Sequence, residues 1–214
     1  MALFGKEHGR MHAQARVWKF EDEKAYQAHK SLIERVNREG IDALFERANR
    51  FQRGLVRAKE WLGRRMRHFT RRYSLENLGY PGLKELVVGD HNILLNEGIN
   101  EMWNLICGNG GTAYSNANAE IGVGDSNAAE DASQTDLQGT YTTYKGMDAG
   151  YPTSGTNQKA VFQATFGENE ANHDWKEWTV RNGATAGKNM NRKVQDMGTK
   201  NGGTWVLTVE ISLS

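Results

Sequence analysis

The stretch that most restricts the fold lies at the end of the chain. In "TWVLTVEISLS" the residues Trp205, Leu207, Val209, Ile211 and Leu213 form one row, and Val206, Thr208, Glu210 and Ser212 form the other. Side chains of an extended strand alternate between its two faces, so one apolar row predicts a half-buried antiparallel strand. Such a strand needs neighbours and a second layer to cover that row. From Ala119 onward the chain supplies them, in short segments separated by Gly, Asn and Asp turns: "AEIGVG", "QGTYTTYKG", "QKAVFQATFG", "DWKEWTVRNG" and "KNMNRKVQ". In the third, Phe162, Ala164 and Phe166 oppose Val161, Gln163 and Thr165. About six such strands predict a sandwich or a jelly-roll-like barrel.

The first third follows a different period. After a polar arm over residues 1–15, helix formers carry Val17, Phe20, Tyr26, Ile33 and Val36 up to Gly40. Beyond it Ile41, Leu44, Ala48, Phe51, Leu55, Ala58 and Leu62 are spaced three and four residues apart in strict alternation, a heptad seam. Phe69 continues the register, although Arg65 takes the seam position between. The seam predicts either a helix packed within its own domain or self-association as a coiled coil. "ENLGYPGLKE" ends the periodicity with one of only two prolines in the chain. In "NEGINEMWNLICG", Ile99, Met102, Trp103 and Ile106 share one face of a short helix near 97–107 that Gly108 stops. The expected fold is therefore α+β: a helical basic segment over 1–78, then an antiparallel, jelly-roll-like β-sandwich over 79–214.

Charge divides along the same line. Residues 1–75 carry 18 Lys+Arg against 9 Asp+Glu, net +9, and the remainder 9 against 17, net −8. Arg64, Arg65, Arg67, Arg71 and Arg72 make a basic docking patch beside His68, Phe69 and Tyr73. Guanidinium forks suit phosphates and the rings suit bases, but a basic helix end meeting an acidic protein surface accounts for the cluster equally simply. Nucleic acid is the less favoured partner.

Signals for chemistry are weak. The single cysteine, Cys107, excludes an intrachain disulfide and any multi-cysteine metal site, and its apolar run predicts a buried small hydrophobe. The opening "MALFGKEHGR" lacks the apolar core of a signal peptide, and no apolar run is long enough to span a bilayer. "IGVGDSNAAEDASQTDLQG" has Gly122 and Gly124 but no third glycine of a dinucleotide loop, and no Gly-Lys-Ser/Thr. Counted from Asp125 as a calcium loop, position six is Glu130 and position twelve Asp136, so both required residues are missing. A calcium held by Asp125, Glu130 or Asp131 is weaker than the reading as turn chemistry. His8 and His12 are four apart but lack a third ligand of suitable spacing. His173 and Asp174, near Glu168 and Glu170, are the only His–carboxylate neighbours in the β segments from Ala119 onward. No catalytic residue, metal or cofactor is predicted.

"NILLNEGINEMWNLICG", "AEIGVGDSNAAEDASQTDLQG", "AVFQATFGENEANHDWKEWTV" and "NRKV…GTKNGGTWVLTVEISL" occur in an order that resembles a family of tailed-bacteriophage virion proteins over about residues 90–214. In that family a "vGdg…a…TDL" connection precedes an "F.A.F...eAN..w.E" strand pair and an "nR.v....tK..g..w.lt..i.l" closing hairpin. The resemblance implies a non-enzymatic β-sandwich in the head, neck or tail of a phage particle, assembled in the host cytoplasm and remote from any membrane. Glu177 would be a fixed polar contact or strand-surface charge, and Lys200 a cation pairing with an acidic loop. On this reading the helical segment attaches to a capsid or connector protein, the seam forms a homo-oligomer of trimer order or higher, and capsid decoration or a head fibre is favoured over a neck or tail part. A receptor- or glycan-binding module, with Trp175 and Trp178 as a stacking platform, is the second expectation. Three residues apart on a strand, these two would point to opposite faces. A nucleic-acid-associated protein using the Arg-rich helix is the third.

Overall fold

The computed structural model describes residues 11–39, 83–90, 93–156, 158–183 and 185–213. The chain divides into two units, 1–22 with 84–214 and 23–83. Among the described residues ten strands form two five-stranded sheets, antiparallel at every pairing whose register follows. One sheet has the order β2 (Leu83–Asp90), β1 (Met11–Phe20), β10 (Thr204–Leu213), β7 (Lys159–Phe166), β6 (Thr153–Thr156). The other has β3 (Ile93–Leu94), β9 (Asn191–Thr199), β8 (Asp174–Arg181), β4 (Glu120–Gly124), β5 (Thr142–Gly146).

β10 is the centre of its sheet, and the expected alternation holds from Leu207 onward: Leu207, Val209 and Ile211 are buried, while Thr208, Glu210 and Ser212 are half-buried. At the start of the strand Trp205 and Val206, from opposite rows, are both buried. β7 pairs along one side, Leu207 opposite Ala164 and Val209 opposite Phe162. Phe162, Ala164 and Phe166 are the buried row of β7, as its period predicts. The opposing layer contributes Ile121 and Val123 of β4, Trp175, Trp178 and Val180 of β8 and Met197 of β9 to the same core cluster. Trp175 sits edge-on to both Phe166 and Trp205, with ring centroids 4.8 Å apart in each pair. Each such contact is worth about 0.5–1.5 kcal/mol beyond the area it buries.

The other flank of β10 is a correction. The helix expected from residue 16 begins at Glu23, and Met11–Phe20 is a strand paired with β10 along its whole length, from Met11 opposite Leu213 to Phe20 opposite Thr204. Val17 and Phe20 are three apart and fit a helical face, but Ala15, Val17 and Lys19 are buried while Gln14, Arg16 and Trp18 are half-buried, which is period two. Polar Arg16 and Lys19 mask that period in the sequence. Between the neighbouring strands β1 and β2 the chain leaves the sandwich, so the basic unit is an insertion in this sheet rather than an N-terminal appendage. That unit contains α1 (Glu23–Glu39), with Glu23 in its first turn and Arg38 in its last, each the sign that the helix dipole favours. Tyr26, His29 and Ile33 form its half-buried stripe. The seam Ile41, Leu44, Ala48, Phe51, Leu55, Ala58, Leu62, the arginines Arg64, Arg65, Arg67, Arg71 and Arg72, and the expected boundary at residue 78 lie outside the described residues.

The short helix is present as α2 (Asn96–Cys107), ended by Gly108 in the left-handed conformation at φ 71°. Its inner face differs from the apolar one. Gly98 and Glu101 are buried, while Trp103 is 58% and Ile106 71% exposed. Cys107 is exposed too, against the expectation of a buried thiol. Gly98 explains the reversal. A Cβ there would lie 2.5 Å from the Met190 Cα and 2.7 Å from the Asn189 carbonyl oxygen, so only a glycine lets the helix rest on the chain entering β9. Among the described residues no helix is long and apolar enough to cross a membrane.

Gly98→Ala must push α2 off its seat, because the blocking atoms are backbone. A loss of about 1–3 kcal/mol is expected in urea unfolding; an unchanged midpoint would show that α2 moves freely.

Candidate functional site

The residue-level feature that dominates the sandwich is an ion pair with no exposure to solvent. Glu177 of β8 and Arg192 of β9 are both at 0% side-chain exposure, with the Arg192 Nε donating to Glu177 Oε2 at 2.6 Å. They meet on the face of β8 opposite the tryptophans, where Thr179 is buried as well. A register shift between Trp175 and Glu177 creates this arrangement. The irregularity changes the parity of the strand, so Trp175 and Trp178 both enter the core, at 0% and 1% exposure, instead of pointing to opposite faces. Neither is available as a glycan platform.

What covers the pair is the connection 125–139. Glu177 accepts the backbone N–H groups of Gln138 (3.0 Å) and Gly139 (2.7 Å). Arg192 donates to the carbonyls of Ala128 (3.1 Å) and Ala129 (3.3 Å) and to Gln134 Oε1 (3.0 Å). Each charge therefore meets its counter-charge and also closes backbone groups of one loop, which is what a charge removed from water requires. Glycines make the approach possible: a Cβ on Gly124 would stand 2.5 Å from Glu177 Oε1, and one on Gly139 3.0 Å from it.

The carboxylates of the connection are occupied in the same way. Asp125 accepts the Tyr141 N–H at 3.0 Å. Glu130 accepts the Val194 N–H at 2.6 Å and lies 3.5 Å from the Lys193 ammonium. Asp131 caps Ser133, whose hydrogen bonds hold its carboxyl below the usual range. Asp136 receives the Tyr144 hydroxyl, and burial together with that hydrogen bond pushes the phenol well above its ordinary pKa. Asp125, Glu130 and Asp131 thus serve separate backbone groups, and among the described residues no group of three His, Cys, Asp or Glu is placed to hold a metal.

Two further polar knots tie the layers. Glu101 Oε1 on α2 accepts from Asn182 Nδ2 (2.9 Å) and from the Thr112 N–H (2.6 Å), and Glu97 accepts the Asn189 N–H at 2.7 Å. Lys200, 1% exposed, donates to the Gly167 carbonyl (2.7 Å) and to Asn172 Oδ1 (3.1 Å). Its partners are thus the carbonyls and amide of the 167–172 loop rather than that loop's carboxylates.

The expected His–carboxylate neighbours are not arranged for proton transfer between them. His173 addresses the Asp174 backbone carbonyl (2.8 Å) and Thr143 Oγ1 (3.2 Å), while the Asp174 carboxylate receives Thr199 and Lys176. A cavity of about 350 Å³ lies beside the β9–β10 turn, walled by Lys19, Glu21, Thr199, Asn201 and Trp205. The Lys19 ammonium there lies 4.4 Å from the Trp205 ring centre. Of the residues that form the buried pair, the sequence singles out Glu177; Arg192 reads as an ordinary strand cation in "NRKV". The available signal was the combination of an Arg and a Glu in adjacent β segments with a loop rich in small residues.

No protein-family model matches this chain, and no match was found among curated proteins or among solved structures.

Removing one member of the pair leaves the other buried and uncompensated, so Glu177→Gln and Arg192→Met are each expected to cost about 3–5 kcal/mol. The double variant should lose less than the sum, because the surviving charge is gone while only neutral loop groups stay unpaired. Additive losses in denaturant titrations would contradict the coupling.

Proposed function

We propose that the protein is a non-enzymatic structural component of a bacteriophage particle. On this reading the basic unit anchors and oligomerises the protein, and the β-sandwich is displayed as a capsid decoration or head fibre. One observation supports this above others. The residues on which the resemblance rests coincide with those that hold the sandwich together. Glu177, Arg192 and Gly124 build the buried pair and its clearance. Asp136 holds Tyr144, Asn172 and Lys200 join two loops, and Phe162, Phe166, Trp175 and Trp205 fill the core. The quoted residues fall on the framework of the sandwich, which supports reading this chain as a structural module. The described polar clusters are engaged in holding loops, which suits a building block. Burial of Trp175 and Trp178 argues against the glycan-binding alternative in the form that uses them.

The charge division fits an assembly role. The unit 23–83 carries 14 Lys+Arg against 7 Asp+Glu, and the rest of the chain 13 against 19. Opposite fields steer encounter and set register between subunits.

Immunogold labelling of particles produced by the genome that carries this gene should mark one recurrent position on the virion. A variant in which a Gly/Ser linker replaces residues 23–83 should fold yet leave the particles unlabelled. Truncating residues 1–75 is not an equivalent test, since it removes β1 from the sandwich. Protein abundant in the lysate but missing from purified particles would reject the proposal.

A further inference from the structure

The chain contains three Asn-Gly pairs, Asn109-Gly110, Asn182-Gly183 and Asn201-Gly202, and the fold puts their reacting groups in three different states. In such a pair the glycine, lacking a Cβ, offers an unhindered backbone nitrogen to the side-chain amide before it. The two can close a succinimide ring only if both are at liberty to approach.

Asn182 is locked. It is 1% exposed, its Nδ2 donates to Glu101 Oε1 (2.9 Å) and the Thr112 carbonyl (2.6 Å), and its Oδ1 accepts the Lys188 N–H at 2.6 Å. Asn201 is exposed in the β9–β10 turn, but the nitrogen that would attack it is held. The Gly202 N–H donates to Asn172 Oδ1 at 3.1 Å, and the Lys200 ammonium fixes that same oxygen at 3.1 Å. Asn109 has neither restraint. It is exposed just beyond α2, and among the described residues neither its side-chain amide nor the Gly110 N–H makes a hydrogen bond. Gly108, Gly110 and Gly111 all adopt positive φ, and a Cβ on Gly110 would meet nothing within 4 Å, so the ring has space to form.

We propose that Asn109 is the site at which this protein deamidates, ahead of the other two pairs, because only its Gly110 nitrogen is unengaged. The Gly110 nitrogen bonds to Asn109 Cγ, the Cγ–Nδ2 bond breaks, and Nδ2 leaves as ammonia with the proton of the Gly110 N–H. Water then opens the succinimide at either carbonyl. One opening gives aspartate; the other gives isoaspartate, in which the chain runs through the former side chain. Both products place a carboxylate at the carbonyl end of α2, whose last turn holds no basic residue to offset it. Isoaspartate also adds a methylene to the backbone leading to Thr112, whose N–H bonds Glu101 Oε1 at 2.6 Å. The modification therefore falls on the segment that ties α2 to the sandwich through Glu101. This inference does not rest on the virion reading.

Folded protein kept at mildly alkaline pH in ¹⁸O-labelled water, then digested and mapped by mass spectrometry, should take up label at residue 109 first. Asn201 should follow roughly five- to tenfold more slowly, the loss of the Gly202 hydrogen bond expressed as a rate, and Asn182 should stay intact. Asn172→Ala, which removes the acceptor, should bring residue 201 close to the rate of 109, whereas Asn172→Asp, which keeps it, should not. In urea the three pairs should react at similar rates. Label entering residue 201 or 182 of the folded protein as fast as residue 109 would overturn the proposal. So would an intact Asn109 after the urea sample has reacted, or an Asn172→Ala variant in which residue 201 is no faster.

Discussion

Everything on the outer side of the β8–β9 layer depends on one ion pair. A glutamate and an arginine with no access to water are unfavourable unless each is fully bonded, and here the bonding is completed by the backbone of a single loop. The dependence runs both ways. The connection 125–139 contains little regular structure and few apolar anchors, Leu137 being buried, so its position is set by where Glu177 and Arg192 need partners. The same loop then supplies Glu130 to the β9 backbone, the Ala132 carbonyl to the Asn96 N–H at the start of α2, and the Thr135 carbonyl to Asn189. Loop, helix and sheet are cross-braced through polar contacts where a larger domain would use a second apolar layer.

This bracing suits a chain of modest hydrophobic content, 38%. Among the described residues one core cluster between the two sheets carries the apolar burial, and the periphery is held by hydrogen-bonded carboxylates and amides. Such networks specify one arrangement because a partly satisfied alternative leaves a buried charge exposed to no partner. The acids that give the 121–139 stretch the look of a metal or phosphate loop are the ones that hold it in place.

The basic unit is inserted in the chain between β1 and β2, neighbouring strands of one sheet. The arrangement also explains why the first ten described residues cannot be treated as a dispensable arm: β1 covers β10 along all ten of its residues.

Much of the sandwich was legible because its strands alternate in the clear. β7 and β10 keep strict apolar rows, and "NEGINEMWNLICG" carries a helical stripe closed by a glycine, so period alone determined these elements and their limits. Period could not determine what each face meets. In α2 the apolar stripe faces outward because Gly98 gives a closer approach than any side chain permits, and Cys107 goes with it. In β8 one irregularity in register turns two tryptophans to the same side and an outward glutamate into a buried one. In β1 two cations hid a strand whose pairing partner lies nearly two hundred residues away. For β7, β10 and α2 the sequence by itself determined whether the segment is extended or helical, and for the chain as a whole how the charge divides, since these follow from neighbours along the chain. Which faces are buried, and that Glu177 and Arg192 neutralise each other beneath the loop, only the tertiary structure decided, because burial is a property of what is brought from elsewhere to cover a surface.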